Sequence, residues 1–373
     1  LWEHFTAEEK EVFHLVRRGD AIPPHLTYVA KRMEKGGYIL PGPAGSPCNL
    51  FSKAFEEFLL QKESEKSGSL AETVQLASTK EELQEFFSTL DSGGLERLGT
   101  FKILRKLGEG GMGVVYKAED IQLRRPVAIK VITPSMAGNT NMLKRFLNEA
   151  RAASALNHPN ICTIYQVGQD AGLDYIVMEY VEGQTIKELI REEPFAPDVL
   201  ARIGIQIADA LDTAHARGMI HRDIKPANIM VNSDGRVKIL DFGLVKWTGA
   251  EQMQRAVTAG LTEQGAIMGT VNYMSPEQLR GDAVDHRTDI FSLGVVLYEM
   301  ACSKSPFSAD NYISIMHAIL YQAVTPVPEP FPADLQAAID RSLAKDPAQR
   351  YQTAGELRRD LSRFLRIAGE AGR

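Results

Sequence analysis

His221 to Gly243 reads HRDIKPANIMVNSDGRVKILDFG. Two polar clusters flank an apolar pair of strands. His221, Arg222, Asp223, Lys225 and Asn228 stand before it, and Asp241, Phe242 and Gly243 after it. Ile229, Met230 and Val231 read as one short strand, Ser233, Asp234 and Gly235 as a turn, and Val237, Ile239 and Leu240 as the returning strand. A hairpin brings its ends together, so Asn228 and Asp241 are expected side by side. An amide oxygen and a carboxylate at one point are hard ligands that suit Mg²⁺, which takes few protein groups and completes its shell with phosphate oxygens. Asp223 lies a few residues upstream, within reach of a nucleophile approaching that phosphate.

This stretch resembles the catalytic loop and magnesium loop of protein kinases, in which HRDxxxxN is followed by DFG. The upstream sequence carries the resemblance further. Phe101 to Leu107 reads as a strand, Gly108-Glu109-Gly110-Gly111-Met112-Gly113 follows, and Val114, Val115 and Tyr116 return as a second strand. A GxGxxG between two strands is not a dinucleotide fingerprint, which needs a helix after the glycines. In a hairpin these glycines let the backbone close over phosphates without Cβ clashes. Val127-Ala128-Ile129-Lys130 then matches the VAIK strand of kinases.

GEGGMGVVY, HRDIKPAN and GTVNYMSPEQ make the chain similar to eukaryotic-like serine/threonine kinases of the bacterial type over roughly two-thirds of its length. The resemblance implies an α+β, two-lobed kinase fold over residues 99–367, with a β-rich N-lobe at 99–178, a helical C-lobe at 182–367 and a tail at 368–373. It implies ATP and Mg²⁺ as cofactors and protein serines or threonines as substrates, Lys225 marking serine/threonine and not tyrosine specificity. Asp223 would orient the hydroxyl and accept its proton, and Lys225 would offset charge on the transferred group. Asn228 and Asp241 would hold the metal. Lys130 would pair with the α and β phosphates, itself held by Glu149 on a helix expected from about Asn141 to Leu156. Tyr175 to Met178 corresponds to the strand before the hinge, with Met178 behind the adenine pocket. Backbone groups of Glu179 and Val181 would bond the adenine, and Val115, Ala128 and Met230 would sandwich it.

Between Asp241 and Glu277 runs a long polar segment with Thr248, Thr258, Thr262, Thr270 and Ser275. By resemblance it is an activation loop that ends at Ser275-Pro276-Glu277, where many kinases have Ala-Pro-Glu. Glu277 would pair with Arg350 as a buried structural bridge. Arg222 beside Asp223 marks the type that loop phosphorylation switches on, since phosphate orders a loop against arginines. Thr258 and Thr262 are the expected sites, and Thr270 would instead contact Asp223 and Lys225. Asp289, at the start of the most hydrophobic helix, would steady the loop near His221 and Arg222. A scaffold without catalysis would lack one of Lys130, Asp223, Asn228 or Asp241, and all four are present.

Composition sets the remaining bounds. The chain has 373 residues, enough for two or three modules, with 44% hydrophobic and 24% charged residues. A net charge of −6 argues against general nucleic-acid binding. Cys48, Cys162 and Cys302 are odd in number and far apart, which fits a reducing cytoplasm and no disulfide framework. The most apolar run, Ile290 to Cys302, is too short for a membrane span and contains Glu299. The chain opens with Leu1 and not Met, as a piece of a longer protein would.

Residues 1–62 form a separate unit. Thr6 and Glu9 make a capping box before a helix that runs to about Arg18, and Pro23 and Pro24 precede a second helix. Strands are expected at Tyr38-Ile39-Leu40 and Asn49-Leu50-Phe51, and a third helix after Ser52. This order resembles a small winged helix. Eight basic and eight acidic residues leave it no electrostatic footprint for DNA, so a protein partner or the neighbouring kinase domain is the expected target. Residues 63–98 read as a linker. A short helix from Lys80 to Leu90 within it carries Leu83, Phe86, Phe87 and Leu90 on one side, a stripe expected to dock on the kinase domain.

Overall fold

The computed structural model describes residues 6–18, 21–35, 39–40, 49–50, 95–110, 113–132, 140–170, 172–191, 193–242, 271–309 and 312–371. The expected helices after Ser52 and over 80–90, Gly111, and Thr248, Thr258, Thr262 and Thr270 lie outside the described residues. Two compact units divide the chain, one within Leu1–Leu70 and Trp247–Gln352, the other within Ala71–Lys246 and Thr353–Arg373.

At the N-terminus the local signals act as read. Glu9 N–H donates to Thr6 Oγ1 at 3.2 Å and Thr6 N–H to Glu9 Oε2 at 2.8 Å, which satisfies two end donors of α1 (Ala7–Arg18). Pro23 leads into a 3-10 turn (Pro24–Leu26) and α2 (Thr27–Lys35). β1 (Ile39–Leu40) pairs antiparallel with β2 (Asn49–Leu50), Ile39 opposite Leu50. Val12, Phe13, Leu26, Met33 and Ile39 are buried in this small core.

β3 (Arg97–Leu98), β4 (Phe101–Gly110), β5 (Gly113–Asp120), β6 (Arg125–Ile132), β7 (Ile164–Asp170) and β8 (Leu173–Glu179) form one antiparallel sheet in the order β3-β4-β5-β6-β8-β7. The two-residue period of a strand sorts its side chains. Val114, Tyr116, Val127, Ile129, Tyr175 and Val177 share one face and build a closed core, where Phe101 meets Tyr175 edge-on at 6.5 Å. The alternate residues Val115, Ala128, Lys130 and Met178 share the other face, since Val115 lies opposite Lys130 and Ala128 opposite Met178. α3 (Thr140–Ser154) connects β6 to β7.

Beyond β8, a capping box of Thr185 and Glu188 carries β9 (Gln184–Thr185) into α4 (Ile186–Ile190). α5 (Pro197–His215) starts on its proline and buries Ile203, Ile207, Leu211 and Ala214. β10 (Ile229–Val231) pairs antiparallel with β11 (Val237–Ile239), and β9 completes a sheet ordered β11-β10-β9. The tight turn depends on Asn232, whose Oδ1 accepts from Asp234 N–H at 3.0 Å and Arg236 N–H at 2.8 Å.

In the other unit, α6 (Pro276–Arg280) is capped by Ser275. α7 (Arg287–Cys302) begins two residues before Asp289, so Asp289 lies fully buried within the first turn and not at its start. α8 (Tyr312–Tyr321) and α9 (Ala333–Ser342) follow. The expected Glu277–Arg350 bridge is present and bidentate, with both N···O distances 2.8 Å. Carbonyls of Ala344, Arg287 and Lys345 accept the guanidinium's remaining N–H groups. α10 (Ala354–Ala371) belongs with α5 to the unit of Ala71–Lys246 and Thr353–Arg373, and packs along α5 there. Among the described residues no helix is long and apolar enough to cross a membrane.

Candidate active site

Lys130 projects from β6, an interior strand held by β5 and β8, and is only 6% exposed. Its Nζ stands 2.8 Å from Asp241 Oδ2. Asp241 follows β11 with φ +53°, a left-handed conformation that costs a side-chain-bearing residue about 1–2 kcal/mol. Arg222 has φ +66°. Removal from bulk water would raise the Asp241 carboxyl. The Lys130 ammonium beside it outweighs that effect and holds the group below the usual carboxylate range.

The hairpin places Asn228 as its register requires. Leu240 N–H donates to Asn228 O at 2.8 Å, which sets Asn228 beside the residue preceding Asp241. Asn228 Nδ2 donates to Asp223 O at 2.9 Å and to Asp223 Oδ2 at 3.0 Å. With its NH₂ committed to Asp223, the Asn228 side chain has its oxygen left to meet a cation. Lys225 Nζ also lies 2.8 Å from Asp223 Oδ2. His221 ties the two polar clusters together. Its Nδ1 accepts Asp223 N–H at 3.2 Å, so its Nε2 carries a proton and donates to Leu240 O at 2.9 Å. Phe242 packs edge-on against the same ring at 4.7 Å.

Lys130 is thus brought to Asp241, and Asn228 and Lys225 to Asp223. The donor set also fits Mg²⁺. One carboxylate and one amide oxygen are few ligands, and no cluster of three or more acidic, His or Cys side chains suited to a metal exists among the described residues. A cation here would draw the rest of its shell from phosphate and water, as Mg²⁺ does.

Above this cluster, Gly108 lies opposite Val115, Glu109 opposite Val114 and Gly110 opposite Gly113. Gly113 has φ +154°, and a Cβ there would stand 2.0 Å from Val131 O, so only glycine fits. Glu109 pairs with Lys106 at 2.6 Å. Ala128 and Met178 are buried, and Val115, Met230 and Val181 half-buried. At the hinge, Glu179 N–H is committed to Thr163 O at 2.8 Å, which leaves the carbonyl as its backbone group for a ligand. The Glu179 carboxylate is held by Lys238 Nζ at 2.7 Å and Thr163 N–H at 3.2 Å. The sequence reading missed Lys238, and its one signal was a lysine between the inward residues Val237 and Ile239. Glu149 stands half-buried on α3, while Lys130 takes Asp241 as its ion-pair partner. Thr258 and Thr262 lie outside the described residues.

The family model for the protein kinase domain matches residues 101–360. The chain belongs to the protein kinase family. Serine/threonine-protein kinase PknB of Mycobacterium leprae is 42% identical over 269 residues, 69% of this chain and 42% of that protein. Serine/threonine-protein kinase PrkC of Bacillus subtilis is 40% identical over 268 residues, 70% of this chain and 40% of that protein. This kinase chain therefore spans about two-fifths of the length of these curated relatives. The kinase domain of PknI from Mycobacterium tuberculosis, solved as a double mutant, superposes with a TM-score of 0.56 at 25% identity, covering 72% of this chain and 96% of that one.

Proposed function

We propose that this kinase transfers the γ-phosphoryl group of Mg·ATP to serine or threonine hydroxyls of proteins. The observation that supports the reading is the polar set at one end of the β10–β11 hairpin, with Lys130 paired to Asp241 and Asp223 holding both Asn228 and Lys225. Phosphoryl transfer passes through a loose transition state, so the protein's contribution is positioning and charge stabilisation. Asp223 orients the hydroxyl and takes its proton on a carboxylate oxygen. Lys225, already 2.8 Å from that carboxylate, offsets charge on the transferred group. Asn228 and Asp241 would hold Mg²⁺, which would supply positive charge to offset that of the phosphates. Lys130, paired with Asp241 in this structure, would turn to the α and β phosphates when ATP is bound and exchange Asp241 for Glu149 as its anchoring carboxylate. Gly108 to Gly113 cover the phosphates. Val115, Ala128, Met178 and Met230 enclose the adenine, whose polar edge meets the Glu179 carbonyl and the Val181 backbone.

Serine/threonine specificity is supported by Lys225 in HRDIKPAN and by the names of the PknB and PrkC relatives. Autophosphorylation at Thr258 and Thr262, a protein-binding role for residues 1–62 and cytoplasmic catalysis belong to the same reading. The free thiols Cys162 and Cys302 suit that compartment.

The test is transfer of labelled γ-phosphate in Mg²⁺ to the protein itself and to a basic protein substrate. The wild type is compared with Asp223→Asn and with a chain starting at residue 96. Transfer by the wild type and its loss in Asp223→Asn is the expected result. Silence from the wild type and the shortened chain, with ATP still bound, would make the protein a binding scaffold. Mass spectrometry after incubation with ATP checks Thr258 and Thr262.

A further inference from the structure

Asp209, on α5, is shared by two partners from distant parts of the chain. His158 Nε2 lies 3.3 Å from Asp209 Oδ2, and Arg358 of α10 donates to Oδ1. The role of His158 follows from its other nitrogen. Nδ1 accepts Asn160 N–H at 3.1 Å, so Nε2 carries the proton and donates it to Asp209. One turn further along α5, Asp212 Oδ1 accepts Gly355 N–H at 2.9 Å. A Cβ on Gly355 would stand 2.7 Å from the Asp212 carboxylate, which would have to turn aside to admit it. Asp209 and Asp212 are one turn apart on α5, as Gly355 and Arg358 are on α10. The two contacts therefore fix the register of one helix on the other.

His158 lies in the segment that leaves α3, and α5 together with the turn after it holds that segment at two further points. Gln206 on α5 accepts from Asn160 Nδ2 at 3.0 Å, and the second point is just past the helix end, where Arg217 Nη1 donates to Ala155 O at 3.2 Å. A second bond from Asn160 Nδ2 reaches Val237 O at 2.9 Å, next to the hairpin that leads to Asp241. The end of α3 is thus anchored to the same α5 face whose carboxylate α10 neutralises.

We propose that Asp209 couples the C-terminal helix to the end of α3, so that displacement of α10 loosens residues 155–161 and, through α3, the position of Glu149. The last link rests on the reading of Glu149 as the anchor of Lys130. The physical basis is the fixing of one carboxylate. Arg358 holds Asp209 in a single orientation and offsets its charge. Without Arg358 this carboxylate, 36% exposed, turns to water, the His158 N–H loses its acceptor, and the ring no longer holds Asn160 N–H.

Hydrogen–deuterium exchange on the whole chain tests the coupling. Arg358→Ala is expected to speed exchange over residues 155–161 about threefold to tenfold, as a local opening made easier by a lost anchor. Arg359→Ala, an exposed neighbour on the same helix, is expected to leave it unchanged. Asp209→Ala should reproduce the effect with Arg358 in place, and combining it with Arg358→Ala should add little, because both act through one carboxylate. Unchanged exchange over 155–161 in Arg358→Ala would overturn the coupling, whatever α10 itself does. Faster exchange with an unchanged KM for ATP would overturn the link to Glu149. Exchange needs no catalysis, so a chain that transfers no phosphate would sink the kinase reading while the exchange result still decides the coupling.

Discussion

Lys130 Nζ and Asp241 Oδ2 stand 2.8 Å apart although the two residues are 111 positions apart in the chain. The pair holds the Asp241 carboxyl below its usual range, so the carboxylate stays charged well into acid. The stability this contributes is present above the unfolded-state value and is lost as pH falls through the lower folded value. Lys130→Met should lower kcat about 10²- to 10³-fold and move the acid limb of the pH–rate profile to higher pH. An acid limb that does not move would show that Lys130 does not set the ionisation of Asp241.

Arg350 is buried with Glu277, their side chains 0% and 6% exposed. Arg350→Met leaves a buried carboxylate without its cation, at a cost of about 3–5 kcal/mol. Urea denaturation measures it. A loss below about 1 kcal/mol would mean that water or another cation reaches Glu277.

Lys345 donates to Ala318 O at 3.1 Å and Ile319 O at 2.6 Å, and its ammonium lies 4.2 Å from the centre of the Phe307 ring. Burial, with Arg350 and Arg280 nearby, lowers its pKa from 10.5 to about 8. Between those values the unfolded chain holds a proton that the folded one has released, so this group's contribution to stability rises with pH across that window. Urea midpoints of wild type and Lys345→Met, compared from neutral to alkaline pH, should therefore shift in favour of the wild type. A constant difference would show that Lys345 keeps its ordinary titration.

Cys162 sits behind the hinge, its thiol donating weakly to Glu179 O at 3.6 Å. Burial, then the charges of Glu179 and Asp241, push its pKa up to about 12. Since the thiolate is the nucleophile, iodoacetamide at pH 8 should leave Cys162 unmodified in the folded protein and label it once urea unfolds the chain. Labelling of the folded protein at the rate of an exposed thiol would contradict this burial.

The local signals acted at short range and were legible for that reason. Thr6 and Glu9 cap α1 because a capping box is settled within four residues. The strand-turn-strand pattern after Asn228 set Asn228 beside the start of DFG because hairpin register follows from the turn. Ala128, Lys130 and Met178 were named through the resemblance, and the strand registers of the structure put them on one face. Glu277 and Arg350 were found by resemblance, since nothing local joins residues 73 apart.

By itself, then, the sequence determined the strands, the hairpin and the helix caps, because periodicity and turn chemistry are written in neighbouring residues, while Lys130 and Lys225 were named through the resemblance to kinase motifs. Only the tertiary structure decided which of several nearby charges each group takes. It gave Lys130 to Asp241, Lys238 to Glu179, and Asp209 jointly to His158 and Arg358. An ion pair is chosen by distance and burial in space, and a charged residue carries no mark in the sequence of the partner that packing will bring within 4 Å of it.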